Sequence, residues 1–174
     1  LLAMLVWPTA RWRNRVSMAY THAWAAGCLA MAGVRVEVTG AERFLIQPAI
    51  FTFNHTNMLD FFVNSVILPG QCLCFGKRTL AMIPFIGWIW ALGGHPLIDR
   101  RRPDQWKAHF DDVQQRVASG RYTTVIAPEG TRSRDGRLGE FKRGTFHIAL
   151  ASRAPIVPFV IKGAHRVVNA SQMG

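Results

Sequence analysis

Two residues in the stretch Phe53-Asn54-His55-Thr56-Asn57-Met58-Leu59-Asp60 have the types and spacing for acid–base chemistry. His55 is a base that works near neutral pH, and Asp60 is a carboxylate able to fix its tautomer. No serine, cysteine or threonine stands in an obvious partner motif as a nucleophile. The pair therefore suits removal of a proton from a substrate's own hydroxyl better than activation of a protein nucleophile. Five positions apart on one helix, the two side chains would point to different faces. They converge only if His55 precedes a helix and Asp60 sits in its first turn.

The neighbouring residues predict such a turn. Residues 49–53 form an apolar, β-prone run that ends at Asn54, as a buried strand would. Asn57 suits an N-cap, and Asp60 falls three residues later, where a capping-box acid belongs. Leu59, Phe61, Phe62, Val63, Val66 and Ile67 then carry a helix until Pro69-Gly70 stops it. An aspartate near a helix N-terminus is favoured there by the macrodipole. Taken alone, the stretch reads equally as a helix cap beside a turn histidine.

Further candidates fall beyond the carboxyl ends of predicted strands, where sheets of this kind bind ligands. They are Lys77, Arg100 and the loop Pro128-Glu129-Gly130-Thr131-Arg132-Ser133. Gly130 tolerates backbone angles that other residues avoid, and Arg132 offers a planar fork for phosphate or carboxylate oxygens. A plain turn with solvated arginines has the same composition.

The elements that must position these groups alternate in type. Strands are expected at 34–38, 49–53, 71–76, 95–98, 122–127 and 156–161, and helices at 103–119 and 144–151. Residues 80–92 are apolar, broken by Pro84, and read as a buried helix or one lying against lipid. Trp12, Val16, Tyr20, Trp24 and Cys28 recur every four residues on an N-terminal helix. That stripe suits either a membrane interface or an ordinary core face. The fold class is α/β: a single domain with a mainly parallel central sheet flanked by helices, preceded by an N-terminal membrane-associated helix. Residues 1–33 are read as that helical segment with a truncated anchor, and 34–174 as the catalytic domain.

Across 174 residues, 49% are hydrophobic and the formal charge is +11; the mean hydropathy is +0.11 and the pI about 11.0. An apolar and basic chain points to an anionic membrane surface. No recognition helix or aromatic RNA-binding pattern supports a nucleic-acid partner. Residues 1–8 are apolar but fall short of the about 20 residues a span needs, and Arg11, Arg13 and Arg15 follow at once, as on a cytoplasmic side. Three cysteines, in no zinc-like spacing, argue for a reduced, structural role.

Over nearly all of residues 34–163 the chain resembles the glycerolipid acyltransferases typified by 1-acyl-sn-glycerol-3-phosphate (lysophosphatidic acid) acyltransferase. Four motifs stand in order: Asn54-His55 with Asp60; Gly94-His95-Pro96-Leu97-Ile98-Asp99-Arg100; Pro128 through Ser133, followed by Phe141-Lys142-Arg143-Gly144; and Ile156-Val157-Pro158-Phe159-Val160-Ile161. The resemblance implies that His55 is the general base and Asp60 its stabiliser. Arg100, Glu129, Gly130, Thr131 and Arg132 would form the acceptor site, with Lys77 in its basic pocket. The donor would be acyl-CoA or acyl-carrier protein, the product phosphatidic acid, and no metal or other cofactor is implied. The expected location is the cytoplasmic face of a membrane, a bacterial inner membrane in particular. Rival readings keep the chemistry with another lysophospholipid, glycerol 3-phosphate or a lyso-aminolipid as acceptor, or drop it for non-catalytic membrane binding. Thr56, Asn57 and Pro96 depart from the family's usual residues and are expected not to touch a catalytic group. Relatives usually continue beyond the fourth motif, so the domain is expected to be incomplete at its C-terminus.

Overall fold

The computed structural model describes residues 9–99, 101–133 and 135–167. In chain order its elements are helix α1 (Ala10–Met31), strand β1 (Ile50–Thr52), helix α2 (Leu59–Ile67), β2 (Cys72–Cys74), β3 (Gly76–Lys77), α3 (Ile86–Gly93), β4 (Leu97–Ile98), α4 (Pro103–Ala118), β5 (Thr123–Ile126), α5 (Gly144–Ser152), β6 (Ile156–Pro158) and α6 (Ala164–Val167). Short 3₁₀ turns occupy Ala41–Leu45 and Arg78–Met82. The central sheet runs β2-β5-β1-β6 with every pairing parallel, as expected for an α/β domain.

A sheet covered on both faces needs strands that are apolar at successive positions rather than alternate ones. Strand β1 meets that demand. Ile50 joins Leu73, Val113, Val117 and Ile148 under α4 and α5, while Phe51 joins Met18, Leu68, Val125 and Val157 under α1 and α2. Both side chains are fully buried, each contributing roughly 1.5–3 kcal/mol over an exposed position. The sheet therefore sits between two cores, and the ends of β1 and β5 emerge side by side.

Three expectations are corrected. Residues 34–38 form no strand. Helix α1 ends in a Schellman motif, with Gly33 at φ 65°, its N–H donating to the Ala30 carbonyl and the Val34 N–H donating to the Leu29 carbonyl. Beyond it Val34 and Val36 are half-buried and Arg35 and Glu37 exposed, so the alternation is real. No described strand lies alongside to supply ladder hydrogen bonds. The run 71–76 divides between two sheets: β2 pairs with β5, and β3 pairs with β4. Just past the break Gly76 packs on the Trp90 ring, where a Cβ would lie 2.8 Å away. The last strand ends at Pro158 rather than 161.

Helix α1 also turns a different face inward than its aromatic stripe suggests. Trp12 and Tyr20 are about half exposed, whereas Asn14, Ser17, Met18, Ala25 and Leu29 are buried. The polar members donate into the fold: Asn14 Nδ2 to the carbonyls of Gly93 at 2.7 Å and Cys72 at 3.3 Å, and Ser17 Oγ to that of Ile89 at 2.9 Å, while Asn14 Oδ1 finds no partner among the described residues. Of the stripe, Trp24 packs inward, against Phe61 and Phe62 of α2. No helix among the described residues is long and apolar enough to cross a membrane, and residues 1–8, read as the end of an anchor, lie outside the described residues.

Candidate active site

The chain leaves the sheet after β1 through two side-chain staples. Asn54 carries the ladder one rung further: its Nδ2 donates to the Ile161 carbonyl at 3.1 Å and its Oδ1 accepts the Ile161 N–H at 2.8 Å. Asn57 Nδ2 donates to the Ala164 carbonyl at 2.6 Å. Between these anchors His55 turns away from the strand.

Asp60 meets it from the first turn of α2. His55 Nδ1 lies 2.8 Å from Asp60 Oδ2. The same oxygen accepts the backbone N–H groups of Thr56 at 2.6 Å and Asn57 at 3.0 Å, and Oδ1 accepts the Thr56 hydroxyl at 3.2 Å. An ionised carboxylate only accepts, so Nδ1 carries the proton in this contact and Nε2 holds the free lone pair. The Asp60 side chain is 1% exposed and that of His55 29%: the anchor is dry and the base open. Asn57 Oδ1 meanwhile accepts the Leu59 N–H at 2.8 Å, so the capping exchange expected from the sequence forms around the same carboxylate, although regular helix begins only at Leu59. Cap and pair are one structure. Thr56 and Asn57, expected to touch no catalytic group, supply three of the four donors to Asp60.

The loop after β5 clamps His55 from the other side. Glu129 Oε1 accepts the His55 N–H at 2.8 Å and Oε2 accepts the Gly139 N–H at 2.7 Å. The Ser133 N–H donates to the His55 carbonyl at 2.7 Å. Both backbone polar groups of His55 are thus held by the 128–133 loop, and Glu129, 3% exposed, faces inward. Gly130 makes the turn, at φ 67° with its N–H on the Ala127 carbonyl. Thr131 and Arg132 are exposed.

Glu129, Thr131, Arg132, Arg137, Gly139 and Lys142 are among the residues lining an open cavity of about 460 Å³. Asp135 is held below the usual carboxylate range, first by the Arg137 N–H and then by the Ser133 hydroxyl; it also lies 3.8 Å from the Arg137 guanidinium. Arg132 and Lys142 have no acidic partner among the described residues. Lys77 stands apart: it is exposed at the end of β3, opposite Ile98 of β4. Arg100 lies outside the described residues. Among the described residues no serine, threonine or cysteine side chain is hydrogen-bonded to the His55 ring, and no cluster of metal-ligating side chains occurs. The Cys72 thiol is pushed up by its hydrogen bond to Cys74 and by burial, which makes it a poor nucleophile.

Fold and site together define an α/β protein with an open histidine on a buried carboxylate at the carboxyl edge of a parallel sheet. The chain belongs to the acyltransferase family, whose model matches residues 35–162. It is 34% identical over 165 residues to a 1-acyl-sn-glycerol-3-phosphate acyltransferase of Cocos nucifera, covering 95% of this chain and 53% of that protein. It is 37% identical over 130 residues to the alpha form of that acyltransferase from Homo sapiens, covering 74% and 46%. The crystal structure of the 1-acyl-sn-glycerophosphate (LPA) acyltransferase PlsC from Thermotoga maritima superposes with a TM-score of 0.77 over 97% of this chain and 67% of that one, at 19% identity. The chain spans about half the length of the curated relatives it matches.

Proposed function

We propose that the protein transfers a fatty acyl group from a thioester, acyl-CoA or acyl-carrier protein, to the sn-2 hydroxyl of 1-acyl-glycerol 3-phosphate, giving phosphatidic acid. The observation that carries this reading is the Nδ1–Asp60 contact of 2.8 Å on a ring still 29% exposed, in a chain whose curated relatives bear that activity in their names. His55 Nε2 takes the hydroxyl proton while the oxygen attacks the thioester carbonyl. The imidazolium so formed sits against Asp60. It returns the proton to the departing thiolate as the tetrahedral intermediate collapses. The thioester is already activated, so neither a protein nucleophile nor a metal enters these steps. Arg132 and Lys142, exposed and without acidic partners, supply the charge for the acceptor's phosphate, and the resemblance adds Arg100 to that acceptor site. Glu129 acts through His55, whose backbone it holds. The work takes place at the cytoplasmic face of a membrane, where both lipid substrates are met.

The test supplies the protein in detergent with acyl-CoA or acyl-carrier protein and a panel of lysolipids and glycerol 3-phosphate. Thiol release and product mass are followed together. Phosphatidic acid is the expected product. Absence of transfer to every acceptor sinks the enzyme reading, and transfer only to another acceptor moves the substrate.

A further inference from the structure

Residues 82–88 carry the densest run of exposed apolar side chains among the described residues. Met82 is 76% exposed, Ile83 43%, Phe85 63% and Trp88 68%. The Phe85 and Trp88 rings meet at 5.2 Å, so they form one patch. Trp90, two residues on, is buried, which shows that α3 has a working inner face and that Trp88 lies off it.

The backbone is shaped to hold this tip outward. Phe85 sits at φ 65° and ψ −52°, closing a γ-turn in which the Ile86 N–H donates to the Pro84 carbonyl at 2.8 Å. A bulky residue in that region is costly and persists where surroundings or function hold it there. Gly87 then lets α3 start against the Ala81 carbonyl, where a Cβ would collide.

The strand ends that flank this segment in the chain carry positive charge. Lys77, Arg78 and Arg101 are exposed at the ends of β3 and β4, which are paired side by side. Their nearby acid, Asp99, lies 3.4 Å from Arg78 in an exposed pair, an interaction of little strength. Apolar side chains with an indole at the tip and cations at the root match the two layers of an anionic bilayer, its acyl boundary and its phosphates.

We propose that residues 82–88 are a membrane-docking element that sinks Phe85 and Trp88 into the interface of an anionic bilayer, with Lys77, Arg78 and Arg101 on its phosphates. This concerns lipid binding, and holds or fails independently of acyl transfer. The test is co-sedimentation of the full chain with vesicles of equal parts phosphatidylcholine and phosphatidylglycerol, against phosphatidylcholine alone. The double variant F85S/W88S should partition roughly tenfold more weakly or worse, with an unchanged circular dichroism spectrum. A second measurement covers binding through other segments: a polarity-sensitive fluorophore on M82C, with the native cysteines replaced by alanine, should shift to the blue on adding the anionic vesicles. Phe85→Gly relieves the turn, so it should keep or raise the melting temperature while weakening binding. Emission that stays water-like while the protein sediments overturns the proposal, as does a double variant that binds like its parent. So does a change of oligomeric state without a change in vesicle binding, which would assign the patch to a second copy.

Discussion

His55 and His95 stand in comparable places and do opposite things. Each lies in a motif beside a short parallel strand, and each has its Nδ1 engaged. His55 Nδ1 faces the Asp60 carboxylate at 2.8 Å, whereas His95 Nδ1 accepts the Cys74 N–H at 3.2 Å. The first contact puts the proton on Nδ1 and leaves Nε2 a base; the second puts it on Nε2 and leaves no exposed lone pair. His95 is 8% exposed, with its ring 5.1 Å from that of Trp90. Burial first, and the Arg116 charge second, lower its pKa to about 4. The partner of Nδ1, more than the motif, separates a base from a strut.

The largest effect should come from His55→Ala. General-base catalysis is worth about 10²–10⁴-fold, so kcat should fall by roughly three orders of magnitude, with the melting temperature little changed. Asp60→Asn comes next. Its amide oxygen can accept the same three N–H groups and its NH₂ can donate to a rotated Thr56 hydroxyl, so fold and tautomer survive. What disappears is the negative charge under the developing imidazolium, and kcat should fall by about two orders of magnitude. Steady-state kinetics beside thermal melts check both. If Asp60→Asn unfolds the chain yet His55→Ala leaves turnover intact, the carboxylate is only a cap and the contrast between the histidines collapses.

Much of this contrast is legible from the residues, and the illegible part has one cause. The 53–60 turn is local: a strand end, a cap and a helix first turn lie within eight positions, so propensity and hydrogen-bonding rules reach all of it. The paired motifs 54–60 and 128–133 also place the site at the edge of a parallel sheet. Contacts between distant segments leave no local trace. The hold of Glu129 on the His55 backbone spans 74 positions and that of Asn54 on residue 161 spans 107. Val34 and Val36 alternate as a strand should, yet a strand needs a neighbour, which the alternation cannot supply. Helix α1 misleads for the reverse reason: its buried face includes Asn14 and Ser17, polar residues whose partners Gly93 and Ile89 lie across the fold.

Glu129 and Arg132 extend the comparison within one loop, because one points inward and the other out. Glu129→Ala strands the N–H groups of His55 and Gly139 and loosens the base. It should lower kcat about tenfold to a hundredfold and leave the acceptor KM nearly unchanged. Arg132→Ala should instead raise the acceptor KM several-fold and spare the donor KM. Substrate-saturation curves for both substrates separate the two outcomes. A rise in acceptor KM for Glu129→Ala would place its carboxylate against the acceptor after all.

The smallest effect tests the strut itself. His95 titrates at about 4 in the fold against an ordinary 6.5. Between those values the unfolded chain binds a proton that the folded chain refuses, so stability from this group is whole above pH 6.5 and drains away as pH falls toward 4. The loss amounts to roughly 3 kcal/mol at the acid end. His95→Asn keeps an oxygen to accept the Cys74 N–H but removes the titrating ring. At neutral pH it should melt below its parent, because packing against Trp90 is lost. As pH falls the parent loses stability faster than the variant, and the gap between their melting temperatures should narrow. Melts of both proteins at steps from neutral pH to the acid side read this directly. Parallel curves would mean that His95 is protonated or solvated in the fold, and that its difference from His55 is not one of burial.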